Sequence, residues 1–200
     1  MGRRFSVFVR AVIDGDVAAA AALLKTNPEL ALEVFEATFF YREIAHYAYQ
    51  GDTALHMAAA AFQPSSARRL VRKGAALDAR NRRGAEPLHY AADANWWSPT
   101  AQAGTITYLL SAGAPVNAQD ANGATPLHRA VRTRSAPAVR ALLAGGADVR
   151  ATNKNGSSPF DLAVRTTGRG GSGSTRARAQ QSNIIAMLSE AGARPATPLP

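Results

Sequence analysis

The stretch GATPLHRAV, Gly123–Val131, decides the fold, because close variants of it stand at three other places: GDTALHMAA from Gly51, GAEPLHYAA from Gly84 and GSSPFDLAV from Gly156. The step from Gly51 to Gly84 is 33 residues, from Gly84 to Gly123 it is 39, and from Gly123 to Gly156 it is again 33. One unit therefore carries a six-residue insertion. The unit tails agree as well: LVRKGAALDARNRR, YLLSAGAPVNAQDAN and ALLAGGADVRATNKN, with a degraded AMLSEAGARP near the end. Self-similarity at this period marks one small building block laid down repeatedly.

Each motif position has a local reason. Thr53 and Thr125 predict N-caps of a first helix, with Ser158 able to do the same, and Pro87, Pro126 and Pro159 fall in the first turn, where a missing N–H costs little. Leu55, Leu88, Leu127 and Phe160 then point inward, and the small pairs Ala58/Ala59, Ala91/Ala92 and Ala130/Val131 let neighbouring helices approach closely. A second helix carries Leu70/Val71, Tyr108 to Leu110 and Ala141 to Leu143, and is stopped by Gly74, Gly113 and Gly146 in left-handed conformation. No helix pair of this size buries both its faces, so stability has to come from stacking on neighbours.

With its TPLH-like opening, its GAD-like close and its 33-residue step, the chain from 51 to 194 resembles the ankyrin repeat family, and residues 5–31 resemble it more loosely. The resemblance implies an all-α solenoid of stacked helix-turn-helix units with β-turn fingers and an exposed inner surface. It also implies that the motif histidines His56, His89 and His128 make structural hydrogen bonds to neighbouring backbone and to the motif threonines Thr53 and Thr125. Two positions depart from the pattern: Asp161 replaces the histidine of the last unit and Glu86 replaces the threonine of the second. The abundance of Ala, Gly and Arg is similar to that of bacterial ankyrin proteins.

The expected organisation is a single domain over 1–194 followed by a tail, 195–200. Residues 5–31 form an N-terminal capping unit with Phe8, Val9, Val12 and Ile13 on one stripe; 51–83, 84–122 and 123–155 are repeats; 156–194 is a C-terminal capping repeat with a closing helix at 176–191. Residues 32–50, rich in Phe and Tyr, show no clear period and read as a hairpin or a short helix. Residues 95–104 hold Trp96 and Trp97 in an insertion between two helices, and a longer Gly- and Ser-rich insertion, expected to be mobile, fills 166–180.

The chain has no cysteine, which excludes disulfides, thiolate nucleophiles and cysteine-ligated metals. Its opening residues, MGRRFSVFVR, are expected to belong to the mature fold, since Arg10, Asp14 and Asp16 interrupt the apolar run, and no segment is long enough to span a bilayer. Lack of disulfides leaves secretion open; the expectation is a cytoplasmic monomer without cofactor or membrane insertion. With 23 Lys and Arg against 14 Asp and Glu, and only three lysines among the former, the net charge of +9 favours acidic partners.

Chemistry finds little support in the residues. Equivalent histidines of successive units stand about 10 Å apart, the spacing of packed helices, too far for a shared zinc. GRGGSG, residues 168–173, satisfies G-x-G-x-x-G, but no strand precedes it and no lysine follows. No nucleophile elbow, zinc-helix motif or paired carboxylate is present, so catalysis is not expected. His46 is assigned no role.

Binding is where variable residues collect. In the family, the position after the motif histidine faces the concave side; here it is Met57, Tyr90, Arg129 and Leu162, followed one turn later by Asp93, Arg132 and Arg165. Trp96 and Trp97 adjoin this strip, and the fingers add Arg82, Arg83, Asn122 and Lys154. Aromatic rings beside guanidinium groups suit anchored protein contacts, so a protein partner is expected. Nucleic acid or another anionic surface, met by Arg80, Arg82, Arg83, Arg129, Arg132, Arg134, Arg140 and Arg150, is the alternative; self-association is the third.

Overall fold

The computed structural model describes residues 2–93, 98–165 and 175–194. The apolar stripe Phe5, Phe8, Val9, Val12 runs down one side of α1 (Arg3–Ile13) and is buried. Gly15 turns the chain at φ 71°, and Asp16 caps α2 (Val17–Thr26) by accepting the Ala19 N–H at 2.9 Å. Four further pairs follow: α3 (Ala54–Ala60) with α4 (Pro64–Arg72), α5 (Pro87–Ala92) with α6 (Pro99–Ser111), α7 (Pro126–Arg132) with α8 (Ala136–Ala144), and α9 (Pro159–Val164) with α10 (Thr175–Glu190).

First helices stack in one layer, α1 on α3, α3 on α5, α5 on α7 and α7 on α9. Second helices stack in the other, α2 on α4, α4 on α6, α6 on α8 and α8 on α10. Leu55, Leu88 and Leu127, all fully buried, with Phe160, fill the space between the layers, and the alanine pairs keep α3 and α5 within reach of each other. Each second helix from α4 onward ends in a left-handed glycine, Gly74, Gly113, Gly146 and Gly192. The next residue's N–H then reaches back to the last turn, as from Ala75 to the Leu70 carbonyl at 3.0 Å.

The fingers explain the invariant opening glycine of the motif. Single backbone hydrogen bonds link successive fingers: Arg82 N–H to Gln50 O at 2.9 Å, Ala121 N–H to Arg83 O at 2.8 Å, Lys154 N–H to Asn122 O at 2.9 Å. Gly84 and Gly123, at φ 67° and 73°, lie so close to the next finger that a Cβ on either would stand 2.9 Å from a backbone nitrogen. Positive φ and lack of room both demand glycine there.

Residues 32–50 resolve into the hairpin. After a 3-10 turn at Pro28–Ala31 and a bridge from Val34 to Thr53, β1 (Phe39–Tyr41) pairs antiparallel with β2 (His46–Ala48), with Phe40 opposite Tyr47 and Tyr41 opposite His46. A single 3-10 turn, Arg42–Ile44, and Ala45 at φ 47° close it. Phe35, fully buried, packs edge-on to Phe5 at 5.2 Å, and Arg10 pairs with Glu43, so the insertion is tied to α1.

Two expected insertions are shorter than anticipated. Residues 99–104 are the first turns of α6, because Pro99 opens the helix and Gln102, buried, donates to the Ala91 and Asp93 carbonyls at 3.0 and 2.9 Å. Residues 175–180 likewise begin α10. Trp96 and Trp97, and residues 166–174, lie outside the described residues.

Candidate functional site

The motif histidines join one repeat to the next. In α3 the Thr53 N–H donates to His56 Nδ1 at 3.1 Å, while His56 Nε2–H donates to the Ala85 carbonyl of the following repeat at 3.1 Å. His89 repeats this with Glu86 N–H and Ala124 O at 3.1 and 3.0 Å, and His128 with Thr125 N–H and Ser157 O at 3.2 and 3.0 Å. An Nδ1 that accepts from the backbone fixes the neutral Nε2–H tautomer. Burial depresses the basicity of all three rings, and takes His89 down to about 4. In the last repeat Asp161 does the accepting half of the job, taking the Ser158 N–H and hydroxyl at 2.8 and 2.7 Å. A carboxylate carries no N–H to donate to a carbonyl as the imidazoles do.

Glu86 is the misfit in this row. Its carboxyl is buried, Oε2 has no hydrogen-bond partner, and the Arg80 guanidinium stands 3.7 Å from Oε1. Burial pushes its pKa up to about 7 against the pull of Arg80.

A buried polar cluster underlies the inner surface of α3 and α5. Asp52, fully enclosed, accepts the Tyr90 hydroxyl at 2.7 Å, the Asn81 amide at 2.8 Å and the Tyr49 N–H at 2.6 Å, and Asn81 also donates to the Tyr90 oxygen at 2.9 Å. Burial and the Asp52 charge raise the Tyr90 phenol well above its ordinary range. The His46 ring, carried by the hairpin, lies 4.6 Å from the Tyr90 ring, and its Nε2 is 3.9 Å from Asp93. The hairpin thus covers Tyr90. Met57 is fully buried and Tyr90 nearly so, which corrects the expectation that they offer a concave contact surface.

Arg129 takes the equivalent position on α7 and is also engaged internally. Its Nη1 holds Asp93 at 3.0 Å and its Nη2 holds Asp120 at 2.9 Å, joining the end of α5 to the next finger. Burial works hardest to raise the Asp93 pKa, but Arg129, His46 and Arg132 outweigh it and hold it at about 2. Arg132 reaches Asp93 at 3.4 Å and is mostly exposed.

Outward, the fingers turn on Asn81, Asp120 and Asn153, whose side-chain oxygens each accept two backbone N–H groups of their own turn. Arg82, Arg83, Asn122 and Lys154 are left exposed at the tips. Arg82 and Arg83 flank the Tyr49 ring at 5.4 and 4.9 Å, and Tyr49 stacks with Tyr47 at 6.1 Å. Tyr47 and its cross-strand partner Phe40 are half exposed, their rings 4.8 Å apart.

Models of the family described as Ankyrin repeat match residues 50–82 and 83–121, and one described as Ankyrin repeats (many copies) matches 109–163, which together span more than half of the chain. The chain belongs to the ankyrin repeat family. No curated protein matches it in a sequence comparison.

The ankyrin fold is a non-catalytic scaffold, and the clusters just described are accounted for as ties within it. Among the described residues no group of three His, Asp or Glu is placed to hold a metal, and no helix is long and apolar enough to cross a membrane. Of the expected site residues, the structure brings together Asp93 with Arg129 and Arg132; Tyr90 meets His46, which had no expected role, Arg82 and Arg83 meet at Tyr49, and Asn122 and Lys154 share one finger-to-finger bond. Asp52 and Tyr49 escaped the sequence reading. One signal was available: Asp52 precedes the motif threonine where the other ankyrin repeats have Ala85, Ala124 and Ser157.

Proposed function

We propose that this ankyrin protein is a non-catalytic scaffold that binds a protein partner carrying both carboxylates and apolar side chains. The partner is held on the outer face of the 39–48 hairpin and the adjoining finger tips. The observation that carries this reading is the exposed pair Phe40 and Tyr47, continued by the partly buried Tyr49 ring with Arg82 and Arg83 beside it, on a chain of net charge +9. Rigid rings next to guanidinium groups are what anchored interfaces use, and an acidic segment complements them. Arg132, Asn122 and Lys154 extend the surface along the array. Binding occludes or tethers the partner and makes no covalent bond.

The test is capture of binding proteins from a native lysate at low and moderate salt, using the intact chain, a Phe40→Ser/Tyr47→Ser variant and a Trp96→Ala/Trp97→Ala variant. A defined partner retained at moderate salt, and lost on changing Phe40 and Tyr47, supports the reading. Retained material that is nucleic acid, released by salt in proportion to the phosphates contacted and indifferent to the aromatic substitutions, would overturn it in favour of a polyanion binder.

A further inference from the structure

Two largely enclosed arginines of the array have opposite circumstances. Arg129 meets two carboxylates. Arg134, at the turn between α7 and α8, is 9% exposed and neither of its Nη atoms has a hydrogen-bond partner. Among the described residues it is the one side chain with two buried, unpartnered guanidinium nitrogens. A buried cation that lacks a counter-charge is costly, so a side chain kept in that position points to a charge that arrives from outside.

Its surroundings fit that visitor. Arg134 lines a cleft bounded by α7, α9 and α10, with Arg132 and Arg165 beside it and Val131, Leu162 and Ile184 as apolar walls. Among the described residues no acidic side chain lines the cleft. Gln181, also there, already donates through Nε2 to the Ala163 carbonyl at 2.8 Å. Arg134 also has φ 58°, a left-handed backbone that its own side chain does nothing to favour. Neither pairing nor backbone preference explains an arginine at this position.

We propose that this cleft is a binding site for an oxyanion, a phosphate or a carboxylate group, received by the Arg134 guanidinium at its floor with Arg132 and Arg165 at its rim. A guanidinium offers the paired N–H donors that oxyanions take bidentately; the two Arg134 Nη atoms, enclosed in the free protein, turn toward the cleft to meet the anion, and the apolar walls strengthen the attraction by excluding water. The site is formed by α7, α9 and α10, toward the other end of the array from the hairpin, and stands whether or not the hairpin is a docking surface.

The experiment follows the arginine Nε–Hε signals of the intact, isotope-labelled chain while sodium phosphate or sodium acetate is added at constant ionic strength and pH 7. The expected result is a saturable displacement of the Arg134 and Arg165 signals, with affinity reduced about tenfold in Arg134→Gln and reduced also in Arg165→Gln. Arg150→Gln, which removes the same charge from an exposed finger, leaves the affinity unchanged. Preference for phosphate over acetate identifies a phosphorylated group as the natural visitor, and parity identifies a carboxylate. Absence of saturation with both anions, or equal weakening by Arg150→Gln, would overturn the proposal. Arg165 is exposed, so its variant and the wild-type titration decide the matter even if Arg134→Gln fails to fold.

Discussion

At the scale of single residues, the chain stakes much of its cohesion on neutral imidazoles. Burial holds His89 at about 4 against 6.5 in a free histidine, so the unfolded chain binds a proton that the folded chain refuses. The stability this residue contributes is complete above pH 6.5 and disappears as pH falls toward 4, a loss on the order of 3 kcal/mol. His56 and His128 act in the same direction. Urea denaturation between pH 7.5 and 4.5 should show a falling midpoint; a flat profile would contradict the tautomer assignment. Glu86 runs the other way: its pKa is raised to about 7 from 4.5, so its penalty grows as pH climbs through that interval. Glu86→Thr should stabilise the protein by about 1–2 kcal/mol at pH 7.5 and by little at pH 4.5, steepening the acid side of the same curve. Arg129→Ala should cost about 3–5 kcal/mol, because Asp93 and Asp120 are left without their counter-charge, and Arg129→Lys should recover only part of it, one ammonium replacing two separately aimed N–H groups.

At the scale of elements, the glycines that begin each motif report on finger stacking. Gly123→Ala puts a methyl 2.9 Å from the Lys154 nitrogen as well as forcing φ 73° on an alanine, and should cost about 1–3 kcal/mol. Gly156 has a similar φ of 71° but nothing within 4 Å, so Gly156→Ala should cost about 1 kcal/mol. Thermal or urea denaturation of the two variants measures the difference, and equal costs would show that the finger contact carries no energy. Helix positions were legible in the sequence because caps, prolines and inward leucines recur at a constant step, and Thr53, Thr125 and Ser158 do cap α3, α7 and α9. The hairpin was legible only as an anomaly. Its strands are three residues long, too short for alternation to declare itself, and its effect on Tyr90 depends on contacts between residues far apart in the chain. For the same reason, the inner-surface rule that places Met57 and Tyr90 outward fails: it describes a repeat without a neighbour folded across it.

At the scale of the whole molecule, a stack held by nearest-neighbour contacts opens from its ends. The two ends differ. The N-terminal pair is held by the Phe35 wedge against Phe5 and by the Arg10–Glu43 ion pair, in addition to α3. At the other end α10 packs on α8 and α9, and no aromatic pair like Phe5–Phe35 joins them among the described residues. Amide hydrogen exchange should therefore be slowest in α3, α5 and α7, intermediate in α1, and fastest in α9 and α10. Protection at the C-terminal end equal to that at the N-terminal end would contradict this ordering.

The bond from each motif histidine to the carbonyl of the residue just before the next cap has a consequence for how such a chain changes length over generations. His56, His89 and His128 address the same backbone atom of whatever unit follows, and none reads a side chain. A tandem duplication of residues 123–155 would meet matching partners on both sides without any compensating substitution, whereas excision of the hairpin-bearing segment would leave the Asp52 cluster open to water. Growth of this gene by unequal crossing-over should accordingly be tolerated between Asn122 and Gly156 and penalised before Gly84.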